Sequence, residues 1–250
     1  LDPDGYGADG FKLDFSARGE EAAALYALFG LPTLPLDFAG AAEAEARFNG
    51  VPEEGGQARF AFSGEGLDFL FEGDAAVKET GLSANGAVSL NSDDLDPWLA
   101  TGGVTLPGIG LGLPVRLSAG LDIDDGLLVL SGLDGEVAGS ALSGDLNAQV
   151  RDGLPHVTGA LTLSSFDLAP VAELAAGTEA LAGDGEGWPT APFAQGAAAL
   201  LTTDLELTVG RLRAGLLAAA SDARQTLRIG TEGVSIADAH AGIFGGTPSG

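Results

Sequence analysis

Apolar and polar residues alternate with period two over most of the chain, and this pattern predicts many short, half-buried strands. Phe11, Leu13 and Phe15 alternate with Lys12 and Asp14. Period two returns from Leu36 to Val77: Phe60 and Phe62 come first, then Leu67, Phe69 and Phe71 on one face against Asp68, Leu70 and Glu72 on the other. Val115, Leu117, Leu121 and Ile123 form a further run that breaks at Asp124-Asp125-Gly126, a tight-turn signal before Leu127 to Leu130. Val137, Leu142, Leu146 and Val150 mark later strands. Leu205, Leu207 and Val209 alternate with Asp204, Glu206 and Thr208, Leu227 and Ile229 flank Arg228, and Val234 and Ile236 lead into the closing IADAHAGIFGG. One segment departs from this period. Glu20 to Phe29, EEAAALYALF, predicts a short helix with acids in its first turn, Gly30 as its stop and Pro32 beyond.

A repeat organises these elements. Gly86 to Leu99, GAVSLNSDDLDPWL, returns 73 residues later as Gly159 to Ala172, GALTLSSFDLAPVA, with Gly86/Gly159, Ala87/Ala160, Leu90/Leu163, Ser92/Ser165, Asp94/Asp167, Leu95/Leu168 and Pro97/Pro170 identical. Each copy opens as a strand and reaches Asp-Leu-x-Pro, where the carboxylate and the proline suit the start of a helix. The second copy predicts a longer helical part, Asp167 to Leu181, followed by an acidic loop, Gly183 to Gly187. A looser first copy starts at Gly10, 76 residues before Gly86. The expected fold is mainly β with short helices, an elongated curled antiparallel sheet of about three strand-helix-strands repeats, roughly 10–84, 85–157 and 158–246. The period leaves open whether the apolar faces line an open groove or close into a dry core.

Composition narrows the function. At 250 residues with 45% hydrophobic and 19% charged, the chain can bury a sizeable core as one domain. Its 40 glycines and 12 prolines are spread along it and read as frequent turns. A net charge of -25 argues against nucleic acid as a partner and against basic adhesion to an anionic membrane. The absence of cysteine fits a compartment where stray thiols are a liability. The chain starts at Leu1 and has no methionine, which suggests a piece of something longer. Pro97 to Val115 is uncharged over 19 residues, but Pro107, Pro114 and five glycines make it a connector rather than a membrane helix.

Catalytic and metal signals are thin. His156, placed in a hairpin turn, and His240 have no evident nucleophile to serve, so no catalytic residue is expected. Gly5 to Gly10 spells G-x-G-x-x-G, but no strand precedes it and a strand follows, so it reads as a turn. Asp2, Asp4 and Asp9, and Asp122, Asp124 and Asp125, lack the spacing of a calcium loop. Adjacent acids such as Asp93/Asp94 or Glu53/Glu54 face opposite sides of a strand and cannot flank one glycosidic bond. No metal and no cofactor are expected.

Three stretches resemble the AsmA-like family of bacterial envelope proteins, relatives of TamB and the bridge-like lipid transporters: Ala23 to Gly40, the GALTLSSFDLAPVAEL type of repeat, and Asp204 to Gly246 with its ending Ile243-Phe244-Gly245-Gly246. The resemblance implies a non-enzymatic module in the periplasm of a Gram-negative bacterium. It would be taco-shaped, held to the inner membrane by an N-terminal anchor absent from this sequence, and implicated in outer-membrane biogenesis through phospholipid movement. On that expectation the acyl chains meet the apolar sets Leu67/Phe69/Phe71, Val88/Leu90, Leu161/Leu163 and Leu205/Leu207/Val209. A structural or interaction module with a closed dry core, like a β-solenoid surface, is the alternative.

Overall fold

The structure, a computed structural model, describes residues 10–34, 38–102, 112–168, 202–214, 218–230 and 233–242. Over these residues the fold is mainly β with short helices, as the period-two pattern requires. The order is β1 (Phe11–Gly19), α1 (Ala22–Leu28), β2 (Ala42–Val51), β3 (Gly55–Gly64), β4 (Leu67–Lys78), β5 (Gly81–Ser92), α2 (Asp96–Thr101), β6 (Val115–Asp124) and β7 (Leu127–Val137). Then follow β8 (Ser140–Arg151), β9 (Leu154–Asp167), β10 (Thr202–Ala214), β11 (Ala218–Gly230) and β12 (Gly233–Gly242). Two compact units divide them, β1–β7 with both helices in the first and β8–β12 in the second.

In the first unit the strands pair in chain order and antiparallel throughout. Their register sorts the side chains into rungs on two faces. Ala17, Ala44, Phe62, Phe69, Leu90 and Leu117 form one apolar rung, and Phe15, Ala46, Phe60, Phe71, Val88 and Ala119 the next. Just beyond the second rung, on the other face, runs Asp14–Arg47–Arg59–Glu72. Arg47 bridges Asp14 at 3.6 Å and Glu45 at 3.4 Å, and Arg59 bridges Glu45 at 3.6 Å and Glu72 at 3.1 Å. These exposed pairs add little stability. A one-residue slip would bury them, so they fix the register.

The turns follow from local chemistry. Asp125 (φ 47°) and Gly126 (φ 75°) are both left-handed, as a two-residue type I′ hairpin needs. Gly30 (φ 70°) closes α1: its N–H donates to Ala27 O and that of Leu31 donates to Tyr26 O, so the helix stop is a Schellman motif. The helix is shorter than Glu20 to Phe29, because Glu21 is its extended N-cap and neither acid enters the first turn.

Three expectations need correction. Among the described residues glycine is not only a turn residue: Gly73 and Gly86 oppose one another inside β4 and β5. A Cβ on Gly73 would lie 2.6 Å from the Cα of Gly86, so the two backbones approach more closely than any side chain permits. The sheet is also not wholly antiparallel, since β10 runs parallel to β9, with Leu207 beside Leu161 and Val209 beside Leu163. Finally, the boundaries 84/85 and 157/158 fall inside β5 and β9. In chain order the repeat is four strands, β1–β4, β5–β8 and β9–β12, with a helix after the first strand of the first two sets. The predicted helix Asp167 to Leu181 lies, beyond Leu168, outside the described residues, as do the loop Gly183 to Gly187, the ending Ile243 to Gly246, Gly5 to Asp9 of the glycine motif, and Asp2, Asp4 and Asp9.

Candidate functional site: an apolar pocket under the two helices

The first unit carries a pocket of about 440 Å³ on its apolar face. Phe60 and Phe62 of β3, Leu67 and Phe69 of β4 and Leu90 of β5 make the floor. Tyr26 of α1, Phe29 and Leu31 after it, Leu95 before α2, and Trp98 and Leu99 within it supply the walls. None of these residues is charged. Leu31 is 52% exposed, so the pocket opens to solvent on that side.

Each wall has a local cause. Ala22 and Leu25 bury one side of α1 against the sheet, which sends Tyr26 and Phe29 over β3. Tyr26 meets Phe62 at 5.9 Å between ring centroids, and Phe29 meets Phe60 edge-on at 5.5 Å. Such aromatic pairs add about 0.5–1.5 kcal/mol beyond their burial. The Tyr26 hydroxyl donates to Trp98 O at 3.2 Å, joining the helices, and burial raises the phenol above its ordinary ionisation range. In α2 Pro97 sits in the first turn, and Asp94 Oδ1 accepts the N–H groups of Asp96 (3.0 Å) and Leu113 (2.9 Å). The repeat's Asp-Leu-x-Pro therefore starts the helix and pins the returning chain. Trp98 is buried and stands edge-on to Phe62 at 5.7 Å.

The ten sequence candidates divide evenly between the units. Leu67, Phe69 and Leu90 line the pocket. Phe71 and Val88 face each other one rung away, with Phe71 buried and Val88 half-buried. In the second unit Leu161, Leu163, Leu205, Leu207 and Val209 belong to one cluster with Ala223, Leu227 and Ile229. Leu207 and Val209 are fully inside it, so they serve as core. What alternation did not identify is the helical contribution. The signal was available in ALYALF, where Tyr26 and Phe29 stand three apart beside the core positions Ala22 and Leu25.

His156 is the third residue of β9 rather than part of a turn; it is buried, and its Nδ1 lies 2.8 Å from Thr202 Oγ1. His240 Nδ1 lies 3.0 Å from its neighbour Asp238 O. Asp122 accepts from Asn85 and Asp124 pairs with Lys78 at 2.7 Å. Among the described residues no group of three or more His, Asp or Glu converges as a metal cradle. Nor is any described helix long and apolar enough to cross a membrane. Comparison of the chain with protein-family models, curated proteins and solved structures finds no match.

Proposed function

We propose that this chain is a non-enzymatic, lipid-handling module of the bacterial envelope, and that the pocket under α1 and α2 shelters part of a phospholipid acyl chain. The observation that carries the reading is the pocket's chemistry: about 440 Å³, open to solvent, with aromatic and leucine side chains and no charge on its lining. That volume lies in the usual range of small-molecule sites. Each methylene moved from water onto such a surface gains about 0.8 kcal/mol, so even a short stretch of acyl chain is held without any directional contact. The carboxylates that dominate the chain's charge are absent from the lining, in keeping with an uncharged tail as the occupant. Leu207 and Val209, at 4% and 0% exposure, favour a dry core for the second unit, so the lipid contact belongs to the first.

The test is uptake of N-phenyl-1-naphthylamine, whose emission rises in apolar surroundings, together with native mass spectrometry of the purified chain. The expected results are a saturable rise displaced by phospholipid, and a loss of at least tenfold in dye affinity for Phe69→Asp and Leu90→Asp. Leu31→Trp, at the exposed mouth, narrows access and is expected to weaken uptake with the melting temperature held. A wild-type chain that takes up no dye and carries no lipid overturns the reading in favour of a structural module.

A further inference from the structure

Among the described strands β1 is bonded on one side only, to β2, so its outer row of backbone N–H and C=O groups has no strand partner. Proteins usually blunt such an edge with a bulge or a short length. Here β1 pairs residue for residue with β2 over nine positions without a shift, leaving a straight edge. By contrast, β12 meets β11 with two register shifts and a left-handed Asp238. The exposed apolar side chains of β1, Phe11 and Leu13 at 41% each, stand on the side of the sheet that carries the pocket.

The sequence of this edge is complementary to itself. Phe11-Lys12-Leu13-Asp14-Phe15, laid antiparallel on a second copy with Leu13 opposite Leu13, places Phe11 against Phe15 twice and Lys12 against Asp14 twice. All apolar residues then fall on one face and all charges on the other, each cation opposite a carboxylate. Moving the pairing by two residues sets Asp14 opposite itself one way and Lys12 opposite itself the other, so the charges select one register. In a chain with net charge -25, β1 carries two cations and one carboxylate, which makes it an edge where two copies can meet without strong repulsion.

We propose that β1 is a dimerisation edge, pairing antiparallel with β1 of a second copy about a two-fold axis through Leu13. The two sheets then continue across the axis with their apolar faces on the same side. This inference stands apart from the lipid reading. Five residues a side make a small interface, so association is expected on the order of 100 µM, measured near physiological salt where long-range repulsion is screened within about 8 Å.

Because the chain has no cysteine, an introduced thiol can cross-link only to another copy. Opposed residues in an antiparallel pair have Cα atoms about 4.5–5.5 Å apart, within disulfide reach. Leu13→Cys is therefore expected to form a covalent dimer on mild oxidation. Ser16→Cys, whose two copies would lie about 20 Å apart in this register, is expected to stay monomeric. Sedimentation of the whole chain supplies the independent arm. Lys12→Asp and Asp14→Lys are each expected to be monomeric, and their equimolar mixture to dimerise at least as well as wild type. A wild-type chain that stays monomeric to about 1 mM, equal cross-linking at positions 13 and 16, or a mixture no more associated than its parts overturns the proposal.

Discussion

The ring of Trp98 lies against the backbone of Gly64: a Cβ placed on that glycine would stand 2.1 Å from the indole Cη2. The contact joins α2 to β3 and sets the height of the pocket wall, because Trp98 also stands edge-on to Phe62. Gly64→Ala therefore pushes the indole off the sheet and is expected to cost about 1–3 kcal/mol, the usual penalty for overpacking a filled core. Urea unfolding measures it. In a Trp98→Leu background the same alanine is expected to cost much less, and that difference is the coupling between the two positions.

Asp94 is the residue through which the repeat turns into structure. Its Oδ1 accepts two backbone N–H groups, one from α2 and one from Leu113 ahead of β6, and Leu95 N donates to Leu113 O beside it. Asp94→Ala leaves two half-buried donors without a partner, and the expected loss is about 1–2 kcal/mol. Asp94→Asn keeps an accepting oxygen and is expected to retain most of that. Thermal unfolding of the two variants side by side separates the lost acceptor from the lost charge.

The first unit was largely legible because its strands obey one rule, apolar to the helices and polar to solvent, and β3–β5 follow it for ten to twelve residues each. The tight turn at Asp125-Gly126 carries the residues its backbone demands. Three things were hidden, each for a physical reason. Alternation reports which face a residue occupies but not what covers it, so Phe69, which lines the pocket, and Phe71, which is buried one rung away, look alike in sequence. The repeat preserves Asp94 and Asp167, but identical residues at a strand end do not fix the direction of the next strand, and β10 joins β9 in parallel where β6 joins β5 antiparallel. A glycine inside a strand has the same letter as one in a turn, so the close approach of Gly73 to Gly86 had no signature of its own.

That close approach makes a sharp comparison possible. A Cβ on Gly73 meets the backbone of β5, with Asn85 O at 2.2 Å, and backbone cannot rotate away. On Gly120 the nearest atom, at 2.8 Å, is Ser131 Oγ, which can. Gly73→Ala is expected to lose about 3 kcal/mol and Gly120→Ala under about 1 kcal/mol, although both replace a strand glycine by the same residue. Equal losses in urea denaturation would show that the sheet relaxes around Gly73 instead of holding it.

Tyr26 gives the pocket a pH signature. Burial disfavours the phenolate, so the folded pKa lies above the ordinary value of about 10. With the folded value raised, the native state holds its proton when the unfolded chain has begun to lose it. The stabilisation is therefore complete below about pH 10 and disappears as pH rises through the folded pKa. Tyr26→Phe has no proton to lose, and it also removes the hydrogen bond to Trp98 O, which is worth about 0.5–1.5 kcal/mol. Near neutral pH the variant is expected to be less stable by that amount or less, the ring packing being unchanged. Above pH 10 the gap is expected to narrow, since only the wild type pays for ionising a buried ring. Stability curves for both proteins between pH 7 and 11 check this, and a constant gap would mean that the Tyr26 hydroxyl reaches water freely in the folded chain.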